Sequence, residues 1–154
     1  MQDHAHIFHK AREAGFGITL HTGEEGDIQE MEYVVDEIKP DRIGHGIHAY
    51  KHPKLMKRLV ESNIVLELCP TSNLNCSVIR DLDELREAVR TLIDHGVRVT
   101  LNTDGPEMHR TSLTGEYSLM KSSGILNDEE LEIIRKEAFR ASFLNNPPYR
   151  AANV

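Results

Sequence analysis

Four short apolar runs, each followed by a segment of helical periodicity, constrain this chain more than any other feature of its sequence. The runs are GITLH at 17–21, RIGH at 42–45, IVLEL at 64–68 and RVTLN at 98–102. Their β-branched and aliphatic residues suit buried strands. After the first run, IQEMEYVVDEIK sets Ile28, Met31, Val34, Val35 and Ile38 on one helical face and ends before Pro40. After the second, Pro53 opens KLMKRLVES, whose stripe is Leu55, Met56, Leu59 and Val60. After the third, DELREAVRTLIDHG carries Leu85, Val89, Leu92 and Ile93 and stops at Gly96. A helix between successive strands returns the chain to its starting end, so strands joined this way run parallel. The expected class is α/β, with helices packed on a parallel sheet.

Beyond the fourth run the pattern turns helical, with helices expected near 112–122 and from Asp128 to Leu144. Asn127 and Glu130 have the spacing of a capping box at the start of the second. The ending NNPPYRAANV reads as a polar, proline-stopped tail. At the other end HAHIFHKAREAGF reads as a helix running into Gly15 and Gly17, so the sequence is expected to open midway through a βα unit. With 154 residues, 39% of them hydrophobic, the chain can build one core and is expected to form a single domain over 1–154.

A net charge of -7, from 25 acidic and 18 basic residues without a long basic run, argues against nucleic acid or an anionic membrane as partner. A small molecule fits better. No segment reaches the roughly 18 consecutive apolar residues of a membrane span, and MQDHAHIFHK lacks the apolar core of a signal peptide. The expectation is a cytoplasmic protein in which Cys69 and Cys76, outside any CxxC, stay reduced.

In parallel α/β folds reactive groups collect where the carboxyl ends of strands meet their loops. Here His21 closes the first run with Glu24 in its loop, and His45 closes the second between Gly44 and Gly46. The third run leads into CPTSN and the fourth into Asp104 of NTDGP. Histidine and aspartate are ligands of catalytic zinc, and a glutamate close by can act as acid and base on a metal-activated water. Taken alone, His21 reads equally as a histidine satisfied by backbone contacts, and Asp104 reads better as a turn residue before Gly105 and Pro106 than as a ligand. Four such endings on successive strands point to a site.

The segments HTGE at 21–24, RIGHG at 42–46, ELCPTSN at 67–73 and LNTDGP at 101–106 resemble, in order and spacing, the C-terminal half of the adenosine deaminase family. The resemblance covers essentially the whole chain. It implies the C-terminal half of a (β/α)8 TIM-type barrel of the amidohydrolase superfamily: four parallel strands with helices, and extra C-terminal helices. It implies zinc-dependent hydrolysis of the 6-amino group of adenosine, or of a related 6-aminopurine nucleoside, to the 6-oxo product and ammonia. By the same resemblance His21 and Asp104 are ligands of one zinc ion per complete site. Glu24 protonates the ring nitrogen beside the attacked carbon, His45 orients the attacking hydroxide, and Ser72 partners the metal-binding aspartate. Gly23 lets the backbone turn closely, and Glu25, with no matching role, is expected to be solvated.

The sequence departs from the family pattern twice. Gly105 stands where a second aspartate usually hydrogen-bonds the purine's five-membered ring, which makes a modified adenosine such as aminodeoxyfutalosine an alternative substrate. The family's first-strand HxH motif has no counterpart, because HAH at 4–6 follows no apolar run and continues as a helix. His4 and His6 are therefore expected on a helix surface, and His48, His52, His95 and His109 in loops or at helix ends. Four strands are half of what such a barrel closes with, so self-association or pairing with a missing N-terminal half is expected. The alternative function is a half barrel that binds a nucleoside or a partner chain without turnover.

Overall fold

A computed structural model describes residues 5–25 and 28–145. Its centre is a four-stranded parallel sheet in the order β1 (Thr19–Thr22), β2 (Arg42–His45), β3 (Val65–Leu68), β4 (Arg98–Leu101). The register sets His21 beside Gly44, Gly44 beside Glu67, and Glu67 beside Thr100, so the strands end level. All the strand-end loops therefore leave the sheet on one side.

Helices separate the strands as their apolar stripes require. The chain enters on α1 (Ala5–Glu13); α2 (Ile28–Tyr33) follows β1, α3 (Pro53–Glu61) follows β2, and α4 (Pro70–Asn75) and α5 (Leu82–Asp94) follow β3. Beyond β4 lie α6 (Pro106–His109), α7 (Leu113–Ser122) and α8 (Asp128–Arg140). Ile43 and Leu66 of the sheet are fully buried among Met31, Val34, Leu55, Leu59, Leu85 and Leu92 of the helices. Each such side chain contributes about 1.5–3 kcal/mol by leaving water, and truncating one, such as Leu66, to alanine costs about 2–5 kcal/mol. Asp81 caps α5 by accepting from the backbone of Asp83 and Glu84, and the expected capping box of Asn127 and Glu130 opens α8.

Several boundaries differ from the sequence reading, each for a local reason. The helix expected over 28–39 is α-helical to Tyr33 and then widens to a π-turn over Val34–Ile38, closed by Lys39 in the left-handed region and stopped by Pro40. Val60, expected in the stripe of α3, is 41% exposed near its end. Helix α8 stops at Arg140 rather than Leu144, and Phe143–Asn145 form a 3-10 turn. Segments read as loops contain the 3-10 turn Ile47–Lys51 and the short helices α4 and α6, each of which starts at a proline.

His6 is exposed on α1, as expected, whereas His4 and most of the expected tail lie outside the described residues. Among the described residues no helix is long and apolar enough to cross a membrane.

Candidate active site

The loops at the carboxyl ends of β1 and β2 are locked together by glycine. Gly23 has φ +72°, and a Cβ on it would lie 2.6 Å from the Met31 sulfur and 2.9 Å from the Gly46 Cα. Only glycine lets the two backbones approach this closely. Across the contact Gly46 N–H donates to the Thr22 carbonyl at 2.9 Å, and His48 N–H to the Gly23 carbonyl at 3.1 Å. His45 itself has φ 60° and Asp104 has φ 55°. A left-handed backbone costs a non-glycine residue about 1–2 kcal/mol, so both are strained at the ends of their strands.

That backbone helps to gather side chains from the ends of all four strands. Glu24 Oε2 lies 3.0 Å from His21 Nε2, and Glu24 Oε1 lies 3.3 Å from His45 Nδ1. The two imidazoles meet edge to face with centroids 4.6 Å apart. Asn73, fully buried on α4, donates its amide N–H to Glu24 Oε1 at 3.1 Å and faces His45 Nδ1 at 3.0 Å. Its neighbour Ser72 donates its hydroxyl to Asp104 Oδ2 at 2.8 Å. Helix α4 is anchored in turn by Glu116, a fully buried carboxylate on α7 that accepts from Thr71 N–H at 3.0 Å and from the Thr111 hydroxyl at 2.6 Å.

Burial holds His45 below the usual histidine range, against the pull of Glu24, and leaves it a neutral imidazole at pH 7. The Ser72 hydroxyl holds Asp104 below the usual carboxylate range. A neutral imidazole and an ionised carboxylate are the forms in which side chains of these types bind a divalent metal. Burial pushes the Cys69 thiol up to about 12, which leaves it unreactive, and both cysteines are free.

The residues singled out in the sequence thus fall at one end of the sheet. His21, Glu24 and His45 bring donor atoms within 4.8 Å of one another, a spacing that suits one metal ion. Asp104 is not one of this group of three; it stands on the next loop, joined to α4 through Ser72. Gly105 opens α6 with an ordinary φ of -91°, and Glu25 is exposed. Asn73, Glu116 and His109 escaped the sequence reading as functional groups. Asn73 lies within the ELCPTSN segment, and its place beside Ser72 after Pro70 is the signal that could have found it. Glu116 and His109 sit in ordinary helical sequence and carry no such signal.

Half of a parallel barrel, with histidines and carboxylates at the carboxyl ends of its strands, defines a chain of the (β/α)8 amidohydrolase class. A model of the family described as adenosine deaminase matches residues 1–152, and the chain belongs to that family. It is 39% identical to an adenine deaminase from Chelativorans sp. (strain BNC1), over 94% of this chain and 44% of the relative. In fold it is similar to an adenine deaminase from Arthrobacter aurescens, with a TM-score of 0.81 at 23% identity over 96% of this chain and 44% of that one. An amidohydrolase from Burkholderia ambifaria, solved with bound Zn, has a TM-score of 0.80 at 25% identity over 96% of this chain and 41% of its own. The chain thus spans less than half the length of these relatives.

Proposed function

We propose that these 154 residues form, as one domain, the C-terminal catalytic half of a zinc-dependent deaminase. Its reaction converts adenine, or an adenosine-like purine, and water to the 6-oxo product and ammonia. The observation that carries this reading is Glu24, whose two carboxylate oxygens face His21 at 3.0 Å and His45 at 3.3 Å.

Zinc, when bound, lowers the pKa of water towards about 7 and supplies a nucleophile at neutral pH. His21 and Asp104 would hold it, and the remaining ligands would come from the part of the barrel that this stretch does not span. Asn73 and Glu24 hold His45 at Nδ1, which leaves its Nε2 to orient the attacking oxygen. Glu24 takes a proton from the attacking water and gives one to the ring nitrogen beside the attacked carbon. Electron density moves onto the ring nitrogen as the carbon–oxygen bond forms; the remaining proton of the added water then passes from the new hydroxyl to the amino group, the carbon–nitrogen bond breaks and ammonia leaves.

The same reading includes a cytoplasmic setting. It also includes pairing of the sheet's edge strands, β1 and β4, with the rest of a barrel or with a second copy. Its test is ammonia release by the longest product of the encoding gene, offered adenine, adenosine and aminodeoxyfutalosine in turn. Turnover of at least one is expected, with Glu24→Gln keeping its zinc and losing at least about 10²-fold in rate. Near-normal turnover by Glu24→Gln would end the assignment of Glu24.

A further inference from the structure

His109 ends α6 with only 5% of its side chain exposed. A position this buried is ordinarily apolar, and an imidazole there needs a polar partner. Its Nε2 is a buried nitrogen without a hydrogen bond, and it lies 3.5 Å from Asp104 Oδ2. On the opposite side of the ring the amide nitrogen of Asn75 lies 3.5 Å from Nδ1. An amide N–H facing Nδ1 makes that nitrogen the acceptor, and a neutral ring then carries its proton on Nε2. Asp104 Oδ2 lies 3.5 Å from that nitrogen, beyond a made hydrogen bond.

The surrounding backbone keeps the two residues together. His109 N–H donates to the Gly105 carbonyl at 2.9 Å, which closes the single turn that separates His109 from Asp104. A Cβ on Gly105 would stand 3.3 Å from the Met108 methyl and 3.8 Å from His109 Cδ2, so the imidazole lies against the inner side of this turn. Asp104 Oδ2 already accepts the Ser72 hydroxyl at 2.8 Å. A second donor on the same oxygen would fix the rotation of the carboxylate and present Oδ1 in one direction.

We propose that His109 is a positioning residue for the metal-binding carboxylate: when Asp104 takes up a divalent metal, His109 Nε2–H closes onto Oδ2 beside the Ser72 hydroxyl and holds Oδ1 on the ion. The inference rests on the reading of Asp104 as a metal ligand. A donor behind a ligating carboxylate limits its motion and fixes its direction, which is how such outer partners raise metal affinity.

The test is a zinc chloride titration of the chelator-stripped longest product of the encoding gene against a chromophoric zinc indicator. Wild type, His109→Leu, His109→Gln and Asp104→Asn are compared, with thermal unfolding to verify that each is folded. His109→Leu is expected to bind zinc about 10- to 100-fold more weakly, and His109→Gln, whose amide also donates, to recover part of the loss. A long-range proton–nitrogen spectrum of the histidines reads the same claim independently, with His109 in the Nε2–H form and its signal moving when zinc is added. Unchanged affinity in His109→Leu, together with weakened binding in Asp104→Asn, would overturn the role of His109 and leave the metal reading intact. Unchanged affinity in Asp104→Asn would remove the metal reading and this inference with it. Should His109→Leu unfold, the spectrum and His109→Gln decide: an Nδ1–H form, or no loss in the glutamine variant without a zinc-dependent shift, overturns the proposal.

Discussion

The side-chain amide of Asn73 lies 3.0 Å from Nδ1 of His45 and ties the helix after β3 to the end of β2. The same amide nitrogen reaches Glu24 at 3.1 Å, so one buried group orients both residues assigned to proton handling. Asn73→Leu keeps the volume and removes the donor. It is expected to lower stability by about 1–3 kcal/mol, the cost of leaving buried acceptors unpaired, and to lower turnover by at least about tenfold with zinc content unchanged. Urea unfolding, ammonia release and metal analysis on one preparation read the three quantities. Wild-type turnover in Asn73→Leu would show that His45 takes its orientation from elsewhere.

Gly23 and Gly124 separate backbone strain from close packing. Both have positive φ, +72° and +67°, but a Cβ on Gly23 strikes Gly46 Cα at 2.9 Å, whereas nothing lies within 4 Å of one on Gly124. Gly124→Ala should lose only the strain of a left-handed alanine, about 1–2 kcal/mol. Gly23→Ala should lose clearly more, and its Tm should fall below that of Gly124→Ala by several degrees. Equal melting temperatures would mean that the contact between the loops after β1 and β2 yields without loss.

Acid should loosen the loop after β2 through Glu84. The Arg80 backbone N–H, the Tyr50 hydroxyl and the Lys51 ammonium hold its carboxyl at about 2, below its ordinary 4.5. With the folded value below the unfolded one, Glu84 contributes its stabilisation above about pH 4.5 and loses it as pH falls towards about 2. Because the Tyr50 hydroxyl donates to Glu84 at 2.8 Å, this pair fastens the 3-10 turn after His45 to α5. In Glu84→Gln the fall of Tm over that pH interval should be shallower than in wild type. An identical acid limb would assign the loss to other carboxylates.

Gly105→Asp tests base recognition. The backbone at Gly105 suits any residue, and the nearest obstacle to a Cβ is the flexible end of Met108 at 3.3 Å. The variant should fold as wild type does, and its kcat/KM for plain adenosine should rise about tenfold or more if one hydrogen bond to the purine is regained. Loss of binding to every nucleoside offered would mean that the glycine serves a close backbone approach instead.

The alternation of apolar runs with helical stripes is enough to place all four strands to within two residues, from GITLH against Thr19–Thr22 to RIGH against Arg42–His45. Strand ends bearing His21, His45 and the approach to Asp104 were equally legible, because parallel sheets expose their loops on one side. Asn73, Glu116 and His109 were not, since each is buried by pairing with residues between 5 and 49 positions away or by the turn around Asp104. Local pattern does not record such pairing. The left-handed backbones of His45 and Asp104 were hidden for a related reason: neither residue is glycine, and only the packed loops hold them there.

Zinc-edge anomalous diffraction from crystals of the longest gene product grown with zinc tests the metal site most directly. His21 and Asp104 should each lie about 2.0–2.2 Å from the anomalous peak, with Glu24 and His45 beside it but not bound. A peak coordinated by Glu24 and His45, with Asp104 out of reach, would contradict this ligand set and give the metal to the group of three that already stands within 4.8 Å.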